Sequence, residues 1–323
     1  MKKFQSMLTV LIFAVSIMTG CAKKAQPVSK STVLLDTVTT VTIYDGSSEK
    51  IIDGAFELCE DYENLISATI PTSDIGRINA AKGEAVEVSD DTIAILKKAI
   101  EYSELSDGAF DITIYPVSKL WDFRTGKKEI PDADAIKEAL KHVDYHNIEI
   151  DGNNVRMKDS EAEIDPGGIG KGYIADKMKE YMMSKGVKSA IINLGGNVLT
   201  IGKNPNGNPF KIGIQKPFGE PQEVLTAFEA EDLSIVSSGN YERYFIKDNK
   251  IYHHILDTKT GYPVESGLNG VTVITEESVD GDALSTSCFA LGEEKGAELL
   301  SKLKGTVKEA IFVDTDNQIT KVE

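Results

Sequence analysis

Asp282 and Thr286 stand four residues apart in the run Asp282-Ala283-Leu284-Ser285-Thr286, where a helix is expected to start. That spacing puts a carboxylate and a hydroxyl on one helical face. With a backbone carbonyl added, they make an all-oxygen set suited to Mg²⁺, which takes few protein ligands and keeps substrate oxygens in its shell. The structural alternative is Asp282 as a helix N-cap. A second pattern is Asp165-Pro166-Gly167-Gly168-Ile169-Gly170-Lys171-Gly172-Tyr173, followed by Asp176. Glycines ahead of a helix let backbone approach a ligand and offer free N–H groups to an anion. The spacing is neither a Walker A motif nor a dinucleotide fingerprint, and a tight turn would use the same glycines. Asn193-Leu194-Gly195-Gly196-Asn197 ends a strand, as a binding loop or a hairpin turn. His254-Ile255-Leu256-Asp257 with Thr260-Gly261-Tyr262-Pro263 adds an imidazole beside a turn signature. Such a histidine serves as a base or as a structural donor.

The elements that must position these residues read as follows. Residues 33–44 are rich in β-branched side chains and predict one strand. Apolar residues at helical spacing predict a helix over 51–66. A polar stretch covers 71–77, and further helices are expected at 91–105 and 133–142, the latter opened by Pro131-Asp132. Residues 147–157 predict a hairpin turned at Asp151-Gly152-Asn153-Asn154. A helix over 171–184 stops at Gly186. Short strands follow at 189–194, 198–201, 210–215, 224–229, 234–236, 244–247, 252–256 and 270–275. A helix over 281–303 and two strands flanking Asp314-Thr315-Asp316-Asn317 close the chain. Many consecutive strands with helices clustered elsewhere predict an α+β fold with largely antiparallel sheets flanked by helices.

Residues 1–20 have the form of a signal peptide: Lys2 and Lys3, a short apolar run, then Met18-Thr19-Gly20 before Cys21. The run is too short for a permanent membrane span. A cysteine at that point predicts lipidation of Cys21 and a bacterial membrane anchor facing the extracytoplasmic side, with residues 21–32 as a polar tether. The folded domain is then 33–323. The 323 residues hold 35 basic and 51 acidic side chains, a net charge of −16. Such a surface repels phosphate backbones, which argues against nucleic acid as a partner. Cys59 and Cys288 fall in apolar helical stretches and read as buried free thiols, with a disulfide as the alternative in an oxidising compartment.

Taken in order, the motifs resemble the ApbE family, the FAD:protein FMN transferases. The resemblance runs through Asp36-Thr37-Val38-Thr39-Thr40-Val41-Thr42-Ile43-Tyr44, Ser106-Asp107-Gly108-Ala109-Phe110-Asp111-Ile112-Thr113 and Leu120-Trp121. It continues through the glycine loop, Asn193-Leu194-Gly195-Gly196, Ser238-Gly239-Asn240-Tyr241, the histidine motif and the Asp282 motif. The family's Met-Gly-Thr is Leu35-Asp36-Thr37 here, its Pro after the histidine-motif Asp is Thr258, and a common loop Ala is Gly170.

The resemblance implies an ApbE-like, T-fold-related domain that uses Mg²⁺ to move FMN from FAD onto a Thr or Ser hydroxyl of another protein, releasing AMP. It implies metal ligands at Asp282, Thr286 and the Gly170 carbonyl. Flavin contacts are implied at Asp107, Asp111, Lys171, Asp176, Asn193, Tyr241 and His254. His254 is the candidate base, with Asp257 to orient it. The expected acceptors are exported or membrane flavoproteins carrying an acidic residue followed by Ser/Thr-Gly-Ala-Thr/Ser, a signature absent from this chain. Two other readings stay open: an FAD pyrophosphatase giving FMN and AMP, and a lipoprotein that binds FAD without chemistry.

Overall fold

The computed structural model describes residues 26–220 and 222–323. The expected signal peptide and Cys21 lie outside the described residues. An eight-stranded sheet organises the rest. Its strands run in the order Val28–Leu34, Thr37–Ile43, Ser189–Leu194, Asn197–Gly202, Ser234–Gly239, Leu268–Thr275, Val307–Asp314 and Ile319–Val322. Every neighbouring pair is antiparallel.

Side chains alternate between the two faces of a strand, and here each face has its own cover. Val41, Ile43, Ile192, Val271, Val273 and Phe312 turn toward the helices Lys50–Ile66, Gly170–Ser184, Ser278–Leu291 and Glu293–Ser301, and form the main core with them. Ile235, Ile274, Ile311 and Val313 turn the other way. They pack on Phe210, Ile212, Ile214 and Ala230 of the hairpin Phe210–Gln215 and Val224–Ala230. A third cluster gathers Trp121, Val117, Ile136, Phe245 and Leu256 where the helices Tyr115–Trp121 and Ala133–Ala139 meet the hairpin Tyr244–Lys247 and Lys250–His253. Sheets with helices on one face and a hairpin on the other make the α+β architecture that the strand pattern predicts.

Four expectations need correction. The strand expected over 33–44 is two strands, because Leu35 and Asp36 turn the chain with φ of 56° and 55°. Two consecutive positive-φ residues are the geometry of a tight hairpin turn, and Leu is a rare choice there. The segment expected as tether up to residue 32 belongs to the sheet from Val28 onward. Ser29 and Ser31 pair through their hydroxyls with Thr42 and Thr40, and Lys30 meets Glu49 and Asp53. The polar stretch expected over 71–77 contains the helix Asp74–Ala80, whose first turn is capped by the Ser73 hydroxyl accepting from the Gly76 N–H. The long helix expected over 281–303 starts at Ser278 and breaks at Gly292, where φ is 81°. Cys59 and Cys288 are free and fully buried; burial pushes the Cys59 thiol up to about 12 and raises Cys288 as well.

Candidate active site

Two helices set the geometry of the site, and each supplies the cap that the other lacks. Neither Gly170–Ser184 nor Ser278–Leu291 has a side-chain cap from its own N-cap residue. The Gly172 N–H donates to Asp282 Oδ2 at 2.8 Å, while the Ser278 and Val279 N–H groups donate to the two oxygens of Asp176 at 2.8 and 2.9 Å. Each carboxylate thus meets the positive end of the opposite helix. The arrangement demands close approach: a Cβ on Gly172 would lie 2.4 Å from the Ser278 carbonyl oxygen and 2.7 Å from Val279 Cα. Asp282 therefore sits one turn inside its own helix and caps another, so it is not the N-cap of Ser278–Leu291.

This corner opens on a cavity of about 1260 Å³. That exceeds the roughly 300–1,000 Å³ typical of small-molecule pockets and gives room for a dinucleotide. Gly170, Lys171, Asp282 and Thr286 line it on one side, and Asp111, Asn193, Tyr241 and His254 line it elsewhere. Asp282 is 2% exposed; its Oδ1 faces the Lys171 ammonium at 3.5 Å, and Thr286 Oγ1 lies 3.2 Å from Ser238 Oγ. Gly168 keeps the loop against this group: a Cβ there would come within 2.9 Å of the Phe110 ring and 3.5 Å of Thr286 Oγ1. Asp282 and Thr286 offer a carboxylate and a hydroxyl to the cavity, hard oxygens of the kind Mg²⁺ takes. Among the described residues no cluster of three His, Cys, Asp or Glu side chains competes as a metal centre.

His254 has a buried Nδ1 without a hydrogen-bond partner among the described residues, and its backbone N–H donates to the Arg243 carbonyl. Desolvation first, then the charges of Arg243, His253 and Lys171, lower its pKa to about 3, so the ring is neutral near pH 7. Asp257 does not orient it. That carboxylate accepts from the Lys259 and Thr260 N–H groups and shapes the turn instead. Two of the expected flavin contacts lie away from the cavity. Asp176 is consumed by its helix cap, with burial pushing its carboxyl up to about 7, and Asp107 lies exposed in a turn at φ 53°. Asp111 lines the cavity but is also a brace: it accepts from the Thr113 N–H and hydroxyl and from the Tyr145 N–H. Burial outweighs those donors and raises its pKa.

The motifs also hold one another. Trp121 Nε1 donates to the Gly261 carbonyl, and the Thr258 hydroxyl donates to the Gly108 carbonyl. Asn193 Oδ1 accepts from the Gly196 N–H and fixes the hairpin turn. Sequence reasoning missed Glu242, Arg243 and Arg124, which line the cavity. Glu242 opens onto the cavity. Desolvation pushes its carboxyl up to about 7; Lys171 and Arg243 oppose that rise and Asp282 adds to it. Asp36 joins Arg124 by an ion pair of 2.7 Å and accepts from Arg243 through its carbonyl. The adjacency of Glu242-Arg243 to Tyr241 was the available signal.

Comparison with known proteins places this geometry. A model of the ApbE family matches residues 35–312. An FAD:protein FMN transferase of Klebsiella pneumoniae is 36% identical over 294 residues, covering 90% of each chain. An FAD:protein FMN transferase of Treponema pallidum is 30% identical over 320 residues, covering 93% of this chain and 88% of the relative. The crystal structure of the ApbE protein from Thermotoga maritima superposes with a TM-score of 0.84 at 31% identity, over 92% of this chain and 97% of that one.

Proposed function

The chain belongs to the ApbE family, and from that premise we propose that it is an Mg²⁺-dependent FAD:protein FMN transferase acting on a Thr or Ser hydroxyl of an acceptor protein. The observation that carries this reading is the assembly of Gly170, Lys171, Asp282, Thr286 and His254 on one cavity, although they come from three separate motifs. Gly170, Asp282 and Thr286 would hold the ion, which would neutralise the substrate diphosphate and polarise the P–O bond that breaks. Lys171 and Arg243 add positive charge to the same cavity, where a diphosphate needs it. His254, neutral and lining the same cavity, takes the proton of the acceptor hydroxyl as its oxygen bonds to the FMN phosphorus and AMP departs. The phosphates raise the basicity of the ring by placing negative charge beside it.

The proposal extends to the cell. Lipidated at Cys21, the enzyme is anchored to the bacterial membrane on its extracytoplasmic side and meets acceptors that carry the Ser/Thr-Gly-Ala-Thr/Ser signature. To test the chemistry, the chain lacking residues 1–21 is incubated with FAD, Mg²⁺ and a soluble domain bearing that signature. Covalent flavin on the domain, read by in-gel fluorescence and mass, is the expected result. Free FMN alone would identify a pyrophosphatase, and intact bound FAD a storage protein. Asp282→Ala should abolish transfer, and His254→Ala should slow it by about 10²-fold or more. A His254→Ala rate within a few-fold of wild type would remove the histidine from the mechanism.

A further inference from the structure

Phe218 occupies a position that backbone energetics assigns to another residue. The Gly219 N–H donates to the Lys216 carbonyl, closing a turn with Pro217 second and Phe218 third. Phe218 has φ 56°, and that third position at positive φ favours glycine or asparagine. The ring is nevertheless 44% exposed, so burial does not explain its presence. It leans edge-on against Tyr241, which lines the cavity, and against Tyr244, with ring centroids 6.1 and 5.4 Å apart. Tyr244 and Ile246 share the outer face of the strand Tyr244–Lys247, 40% and 64% exposed, while Phe245 between them is buried in the third cluster. Three large apolar side chains therefore form a stripe that begins at the cavity wall and runs outward along one strand face. A contiguous exposed apolar patch of this kind marks an interaction surface.

We propose that the stripe Phe218–Tyr244–Ile246 is the docking surface for the acceptor polypeptide, gripping the extended segment on one side of the hydroxyl residue. This rests on the transferase reading. A protein hydroxyl must enter the cavity while its own backbone stays outside, and the stripe is continuous with the cavity through Tyr241. Neither Phe218 nor Tyr244 lines the flavin cavity, so acceptor recognition is separable from FAD binding.

The test uses Phe218→Gly and Tyr244→Ser in the chain lacking residues 1–21, with FAD, Mg²⁺ and the soluble acceptor domain. Acceptor KM should rise about tenfold, as for loss of an aromatic anchor, with kcat at saturating acceptor and the Kd for FAD unchanged. Glycine takes φ 56° without strain, so the Tm of Phe218→Gly should not fall. An unchanged acceptor KM would overturn the proposal. So would weaker FAD binding, which would make the stripe part of the flavin site, or loss of binding to phospholipid vesicles, which would make it a membrane contact. A wild-type protein that binds the acceptor domain through the stripe yet leaves no covalent flavin would overturn the transferase reading alone.

Discussion

Glu242 and His254 face one cavity with opposite problems of charge. His254 is kept neutral by burial and by the cations Arg243 and Lys171, and its pKa of about 3 removes it from titration near pH 6.5. Glu242 is pushed up to about 7, so its carboxyl gains negative charge as pH rises through neutrality. An anionic dinucleotide then meets a more negative wall. FAD affinity should therefore weaken as pH is raised through about 7, and Glu242→Gln should flatten that dependence; a wild-type Kd that is constant from pH 6 to 8 would contradict it. For stability the sign for His254 is the other way. Its folded pKa lies below its ordinary value of 6.5, so the unfolded chain binds the proton first. The stability it supplies is intact above 6.5 and is lost as pH falls toward about 3. At this scale the motifs identified Asp282, Thr286, Lys171 and His254 as cavity residues, by resemblance more than by chemistry. Asp176 and Asp107, implied as flavin contacts, are not among the residues that line the cavity, since a motif string does not say which side of a helix or turn a carboxylate takes. Asp257 was read as a partner of the histidine when the nearer N–H groups of its own turn claim it.

The helices Gly170–Ser184 and Ser278–Leu291 depend on each other through two carboxylates and one missing side chain. Gly172→Ala drives a methyl into backbone that cannot rotate away, so it should cost about 1–3 kcal/mol and displace Asp282 as well. Asp176→Ala removes the cap of the second helix only. It should cost about 1–2 kcal/mol in urea unfolding while transfer at saturating substrate persists. Loss of transfer in Asp176→Ala at unchanged stability would restore that residue to the flavin site. Helix and strand positions were largely legible, since periodicities of 3.6 and 2 run through long stretches of the chain. Two boundaries failed for reasons that lie outside periodicity. Leu35-Asp36 turns the chain without a turn-forming residue at its first position, and Gly292 ends a helix whose apolar pattern continues into Glu293–Ser301.

Across the whole molecule the first strand carries more than its sequence suggests. Val28–Leu34 forms the edge of the eight-stranded sheet and shields Thr37–Ile43, so polarity alone gave it the look of a tether. An uncovered strand edge recruits other chains. A chain starting at Val33 should melt about 5 °C or more below one starting at Gln26 and should scatter light on concentration. Equal melting of the two would show the strand to be dispensable. Sheet order itself was beyond reach of local pattern, because pairs such as Thr37–Ile43 with Ser189–Leu194 join segments separated by most of the first half of the chain.

The reciprocal caps have a consequence for descent. Asp282 serves the fold through the Gly172 N–H and faces the cavity through its other oxygen, so mutation there is opposed by two separate selections. A paralogue that abandoned the reaction would still be pressed to keep the aspartate in order to fold. Thr286, whose hydroxyl is bonded among the described residues to that of Ser238, caps no helix and would be freer to drift. If Thr286 holds the ion as proposed, its loss in a diverging lineage would mark lost activity more sensitively than loss of the aspartate.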